Sequence, residues 1–225
     1  MSPFRKNPLV NGEVYHVISR SIAGFKIFNS ERDFSRMVDA IRFYKYRTTY
    51  KFSDFSDLDF KTQSKIYDKL ALDIAKNQII QVIAYCLMPT HIHLVLKQIS
   101  DNGITSFVNK LLNSYSRYFN LLHGRKGPLW ESRFKSIHID SDELLLHITR
   151  YNHLNPSSGG LVKKPEDWKY SSYNEYLNKT NIKICEFNDL LNIDSKTYRK
   201  FVNDRISYQK EISKIKALIL EDYFG

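Results

Sequence analysis

The chain is poor in the features that would place it outside a cell or in a membrane. Two cysteines in 225 residues, Cys86 and Cys185, form neither a disulfide framework nor a zinc-binding pattern, and both thiols read as structural. No apolar run approaches the roughly 20 residues needed to span a bilayer. Met1 to Val10 lacks the apolar centre of a signal peptide, so a cytosolic protein is expected. There is no internal repeat, no low-complexity tract and no Walker-type phosphate loop. What is present is basic and aromatic. Lysine and arginine outnumber aspartate and glutamate 34 to 24, a formal net charge of +10, and there are 15 Tyr and 14 Phe. An excess of that size favours a polyanionic partner, nucleic acid before an anionic membrane surface.

Hydrophobic patterning gives an ordered series of elements. Glu13 to Ser19 alternates about Val14, His16 and Ile18 as a strand would. Ser30 is a helix cap, followed by an apolar stripe through Phe34, Met37, Val38, Ile41 and Tyr44. Residues 48–79 are polar, with as many acidic as basic residues, and read as an insertion. Ile79 to Leu87 and the run from His91 should form an antiparallel hairpin turned at Met88-Pro89-Thr90. Ile104 to Leu122 is an amphipathic helix, with Lys110, Asn113 and Arg117 off its apolar side. A short strand ends at Ile139, and Ser141 caps a further helix that Pro156 should end. Residues 196–221 read as one or two more helices. Strand, helix, hairpin, helix, strand, helix predicts an α+β fold: a ferredoxin-like (RRM-like) antiparallel sheet with helices packed on it, the histidine hairpin at its centre. The expected division is a domain over 1–178 and a C-terminal helical extension over 179–225.

The segment Met88-Pro89-Thr90-His91-Ile92-His93-Leu94 carries the chemistry. Side chains two apart on a strand project from the same face, so His91 and His93 stand side by side and Ile92 points away. Such a pair is either a ligand set for a divalent metal or two half-buried histidines, and the local pattern allows both. Downstream, Leu144, Ile148, Tyr151 and Asn155 share one helix face. A phenol and an amide thus come one turn apart, although Asn155 precedes a proline that disfavours helical geometry.

Five segments in order resemble one family: Tyr15-His16-Val17; Met88 to Leu94; Gly127-Pro128-Leu129-Trp130-Glu131-Ser132-Arg133-Phe134-Lys135; Arg150-Tyr151-Asn152-His153-Leu154-Asn155-Pro156; and Trp168-Lys169-Tyr170-Ser171-Ser172-Tyr173. Together they look like the REP-associated tyrosine transposases, within the single-tyrosine HUH transposases of bacterial insertion sequences. The resemblance runs from about Tyr15 to Tyr176. It implies a metal-dependent enzyme that cleaves and rejoins single-stranded DNA at hairpin-flanked sites through a 5′-phosphotyrosine. It implies His91, His93 and Asn155 as ligands of Mg²⁺ or Mn²⁺ and Tyr151 as nucleophile. A homodimer is compatible with it, because related enzymes pair one subunit's tyrosine with the other's histidines.

The chemistry suits these residues. A phenol with pKa of about 10 is a weak nucleophile at neutral pH and needs positioning and a route for its proton. Phosphodiester energy kept in a tyrosine–phosphate bond makes an ATP site unnecessary. Lys110, Arg117, Arg125, Lys126, Arg133 and Lys135, opposed only by Glu131, form a local basic excess suited to phosphates, with Arg20 after the first strand. Trp130 lies among them, and core packing is favoured for it over base stacking. His16 reads as a structural histidine or one supporting a ligand, with His147 as a second supporting candidate and His153 turned away. Two other readings stand beside this one: a non-catalytic nucleic-acid-binding protein on the same fold, and a host-adopted nicking endonuclease.

Overall fold

The computed structural model describes residues 8–72, 77–131, 133–181 and 183–204. Four strands, β1 (Val14–Arg20), β2 (Ile80–Met88), β3 (His91–Gln98) and β4 (Lys135–Ile139), form one antiparallel sheet in the order β2-β3-β1-β4. The expected α+β sheet-and-helix architecture is what is found. The centre, however, is β3 and β1. β2 lies at an edge, because β1 inserts between β3 and β4. That edge is covered: the Leu87 N–H donates to the Tyr170 carbonyl (2.9 Å), and the Glu186 N–H donates to the Val82 carbonyl (2.8 Å). Covering an edge removes a template for unwanted strand pairing.

Alternation along β1 and β3 feeds two cores. Tyr15, Val17, Ile92, Leu94 and Leu96 point to one face and pack against α1 (Glu31–Tyr44) and α4 (Gly103–Leu122). Val14, Ile18 and Val95 point to the other and pack against α5 (Asp142–Ser158). α1 starts with a capping box. The Asp33 N–H donates to Ser30 Oγ and the Asp33 carboxylate accepts the Ser30 N–H. α4 buries Ile104, Phe107, Val108, Leu111, Tyr115 and Phe119 as expected, but Leu122 at its end is exposed. A Cβ at Gly103 would collide with the Ile79 carbonyl, so only glycine allows α4 to start this close to β2.

Residues 48–79 contain α2 (Phe52–Ser56) and α3 (Phe60–Ala71). They send Phe52, Phe55 and Tyr67 inward around Phe43 of α1. After α5 come a single turn, α6 (Tyr173–Tyr176), and α7 (Ser195–Asn203), capped by Asp194. The rest of the expected C-terminal helices, residues 205–225, lies outside the described residues. Tyr198 and Val202 of α7 are buried in the same core as α5.

Candidate active site

The β2–β3 turn is held from outside the hairpin. The Pro89 carbonyl accepts the Ile27 N–H (2.9 Å), and the Thr90 carbonyl accepts the Ser21 N–H (2.9 Å). This fixes where β3 begins, and so fixes His91 and His93 on the α5 face, with Ile92 fully buried on the other. Their ring centroids are 4.9 Å apart.

Antiparallel register sets Ile18 opposite His93 and Arg20 opposite His91, so His16 sits diagonally from His93 on the same face. His16 Nε2 and His93 Nδ1 share a hydrogen bond of 3.1 Å. His91 Nδ1 is likewise engaged, 2.9 Å from Thr90 Oγ1. Each β3 histidine therefore has its Nδ1 occupied by a neighbour. A metal-binding imidazole is oriented in this way, one nitrogen tied and the other presented. Burial keeps all three rings neutral at physiological pH. It lowers His16 to about 3 against a small opposing effect of the Asn152 amide, and lowers His91 to about 4 with help from the Arg20 charge. Burial takes His93 well below its usual range, with His91, His16 and Arg20 adding to the effect.

α5 brings the other half. Tyr151 is 9 % exposed, and its ring stands edge-on to His93 (centroids 5.6 Å, 88°) and to His16 (6.2 Å, 80°). The helix does not stop at Pro156. It continues to Ser158, because the Gly159 N–H donates to the Asn155 carbonyl and the next turn closes past the missing proline donor. Asn155 thus stays helical, one turn beyond Tyr151 on the same face. Its Nδ2 is buried without a partner among the described residues, whereas the Asn152 amide is aimed at His16.

The outer face of α5 is anchored by α7. Buried Arg150 stacks over Phe201 (4.1 Å) and donates to its carbonyl. His153 bonds Tyr198 Oη (2.6 Å) and Ser172 Oγ (2.7 Å), pointing away from Tyr151 as expected. His147 faces Arg150 and Phe201, so it does not support the histidine pair. A side chain on a helix clamped on both sides is held in one place relative to the sheet.

Most of the basic residues lie on α4 and the segment after it, on the opposite side of the sheet from Tyr151, so the fold does not gather them at this centre. Arg20 lies at its mouth. Lys110, Arg117, Lys126 and Arg133 are exposed, and Lys135 is half-buried at the start of β4. Half-buried Arg125 stacks on Phe25 and bonds Asn120 and the Pro128 carbonyl, so it also holds its own loop. Trp130 is buried among Phe28 and Tyr115, and its Nε1–H donates to the Leu112 carbonyl. That is the packing role favoured for it. The other α4 tyrosines are committed elsewhere: Tyr115 donates to the Ile27 carbonyl (2.6 Å) and Tyr118 to Asp33 (3.0 Å).

Sequence reasoning missed Asn152. Its position beside His16 depends on which strand lies under α5, and periodicity does not give strand order.

A family model described as "Transposase IS200 like" matches residues 14–153, more than half of the chain. The chain belongs to this transposase family. A protein from Haemophilus influenzae (strain ATCC 51907 / DSM 11121 / KW20 / Rd), named as a REP-associated tyrosine transposase, is 29 % identical over 104 residues, covering 41 % of this chain. The match spans 58 % of that relative's length. Among solved structures, a REP-associated tyrosine transposase bound to a REP hairpin aligns with a TM-score of 0.53. It is 16 % identical and covers 83 % of this transposase and 98 % of the solved chain. At that identity the likeness concerns the fold. Among the described residues, no helix is long and apolar enough to cross a membrane.

Proposed function

We propose that this transposase cleaves and rejoins single-stranded DNA through a covalent 5′-phosphotyrosine formed by Tyr151. The observation that carries the reading is the meeting of Tyr151 with His91 and His93, on separate elements of one chain, with Asn155 one turn away. In the reaction the Tyr151 oxygen bonds to the phosphorus and gives up its proton. The bond from phosphorus to the 3′ oxygen breaks, and that oxygen leaves as a 3′-OH after taking a proton. Attack by another 3′-OH reverses the step and frees the tyrosine.

The donor set fits a divalent cation. Two neutral imidazoles have their Nδ1 atoms tied back, and the amide of Asn155 lacks a partner for its nitrogen. The third ligand that the family resemblance implies is the amide oxygen of Asn155, one turn beyond Tyr151 on the same helix face. Bound there, Mg²⁺ or Mn²⁺ would stabilise charge on the phosphate's non-bridging oxygens, and the imidazoles favour Mn²⁺. The chain's own part is separate. The sheet and α7 fix Tyr151, buried walls exclude water from it, and Arg20 adds positive charge at the mouth. Lys110, Arg117, Lys126, Arg133 and Lys135 then serve as phosphate contacts. One chain supplies the nucleophile and all three ligands, so the reading requires no second copy. Residues 1–178 act as the transposase unit, and the 179–225 extension buttresses the tyrosine helix through α7.

The substrate follows from the same surface: single strands or hairpins with unpaired flanks. The test is incubation of end-labelled hairpin DNA with protein and Mn²⁺, read on a denaturing gel. A protein–DNA adduct at the 5′ side of the break, abolished by EDTA, is expected. Tight hairpin binding with no adduct at any metal concentration would support the binding-only reading instead.

A further inference from the structure

The side of α5 that lies on the sheet carries Leu145, Ile148 and Asn152 at positions i, i+3 and i+7. Leu145 and Ile148 are buried and pack into the core under the helix. Asn152 is completely buried in the same row, where the period asks for an apolar side chain. An amide there costs about 1–3 kcal/mol unless it is partnered. This amide is aimed at His16 and has no other partner among the described residues. His16 Nε2 is already turned to His93 Nδ1 (3.1 Å), so the nitrogen that remains for Asn152 is Nδ1. Three buried side chains thus stand in a row from α5 through β1 to β3: Asn152, His16 and His93.

The row has a direction. Both rings are buried, in surroundings that disfavour a charged imidazolium. A neutral imidazole has one N–H, so one of its nitrogens donates and the other accepts. Between His16 Nε2 and His93 Nδ1 there is therefore a single proton, and its owner fixes the remaining nitrogen of both rings. Owned by His93, it leaves His93 Nε2 bare for a cation and puts the His16 proton on Nδ1. Owned by His16, it puts the His93 proton on Nε2, where it blocks a cation. The amide oxygen of Asn152 accepts from His16 Nδ1–H and so selects the first arrangement. The amide nitrogen would donate and select the second. Asn152 acts on His16 as an acceptor does, favouring a proton on the ring against the effect of burial. His91 has no such device. Its Nδ1 faces the Thr90 hydroxyl (2.9 Å), which can donate or accept.

We propose that Asn152 is a positioning residue for the metal site: its amide oxygen holds the His16 proton on Nδ1, His16 Nε2 accepts from His93 Nδ1–H, and His93 Nε2 is left bare for the cation. The proposal rests on the reading of His93 as a metal ligand. It involves no proton transfer and no change of charge.

The experiment uses the full chain, metal-free and labelled with nitrogen-15 at histidine. Long-range proton–nitrogen correlation spectra show which nitrogen of each ring is protonated, with resonances assigned by single histidine replacements. In wild type, His16 and His93 are expected to carry their protons on Nδ1. Asn152→Leu keeps the volume and completes the apolar row, so the variant should fold, which its melting temperature checks. It should move His93 towards the Nε2–H form and leave His91 as in wild type. Mn²⁺ binding, measured by titration calorimetry, should weaken about tenfold, as for loss of a group that orients a ligand. In a His16→Ala background the same replacement should cost no further affinity, because Asn152 then has no ring to act through. A wild type with His93 protonated on Nε2 overturns the proposal without any variant, as does an Asn152→Leu protein whose His93 form is unchanged. A wild type with both protons on Nδ1 that binds no Mn²⁺ would reject the metal reading, and with it the positioning role, while the row of hydrogen bonds stands.

Discussion

Under α1 and α4 the sheet buries Tyr15, Val17, Ile92, Leu94 and Leu96, and the aromatic donors on that side find partners, although Ser19 Oγ, Arg36 Nε and Ser100 Oγ do not among the described residues. Tyr115 reaches the Ile27 carbonyl, Trp130 that of Leu112, and Trp168 that of Leu87. Under α5 the same strands bury His16 and His93 beside Val14, Ile18 and Val95. There Asn155 Nδ2 stays without a partner among the described residues, and the Asn152 amide is left only His16. A buried unsatisfied polar group costs about 1–3 kcal/mol. Both faces bear that cost; what separates them is kind, aromatic rings capped by carbonyls on one face and imidazoles and amides gathered around Tyr151 on the other. The alternation of two adjacent strands is enough to keep the two roles separate.

The sharpest way to break this comparison is to exchange the consequences of damage on the two faces. His91→Ala should reduce DNA cleavage to background while shifting the melting temperature little, since His91 is only half-buried and contributes little packing. Circular dichroism melts beside a cleavage assay decide it, and undiminished metal-dependent cleavage would remove the site from this position. Phe107→Ala, on the other face, should do the reverse. A fully buried phenylalanine lost from the core costs about 3–5 kcal/mol, and cleavage per folded molecule should persist below the new melting point.

His16→Ala sharpens the account on the reactive face. Its Nε2 ties back His93 Nδ1, so its loss should weaken Mn²⁺ binding about 10- to 100-fold by titration calorimetry. His16→Gln, which retains a polar group at that point, should recover part of the loss. Equal affinity in all three proteins would make His16 a packing residue only.

The effect of pH is smaller per group and again one-sided. His16 and His153 are buried on the α5 side and held neutral down to about 3, whereas an unfolded histidine takes its proton near 6.5. The unfolded chain binds protons that the folded metal-free protein refuses. Their stabilisation is therefore complete above about 6.5 and drains away as pH falls towards 3, at up to about 1.4 kcal/mol per pH unit for each ring. Hydrogen exchange in α5 should accelerate on acidification before that in α4. Simultaneous loss of protection in both helices would count against a division by face.

Much of this was legible in the residues. Alternation in His91–Lys97 placed the histidine pair on one face, and the 3.6 period of Ile104 to Phe119 marked the buried side of α4. Strand order was not legible. Nothing local in Val14–Arg20 says that it lies between β3 and β4, and the His16–His93 contact follows only from that neighbour and its register. Pro156 misled for a similar reason. A proline ends a helix unless the next turn finds other acceptors, and here the Gly159 N–H finds Asn155. The polar reading of 48–79 averaged over Phe52, Phe55 and Tyr67, which were too widely spaced to show as a stripe yet pack beneath α1.

The claim that most needs testing is that Tyr151, and no tyrosine of the stabilising face, carries the DNA. Wild-type protein is allowed to react with hairpin DNA and Mn²⁺, the adduct is digested with protease and nuclease, and the nucleotide-bearing peptide is sequenced by mass spectrometry. The phosphonucleotide is predicted on Tyr151, with Tyr151→Phe binding the same DNA and forming no adduct. A nucleotide found on Tyr115 or Tyr118, or an adduct that persists in Tyr151→Phe, would contradict the account.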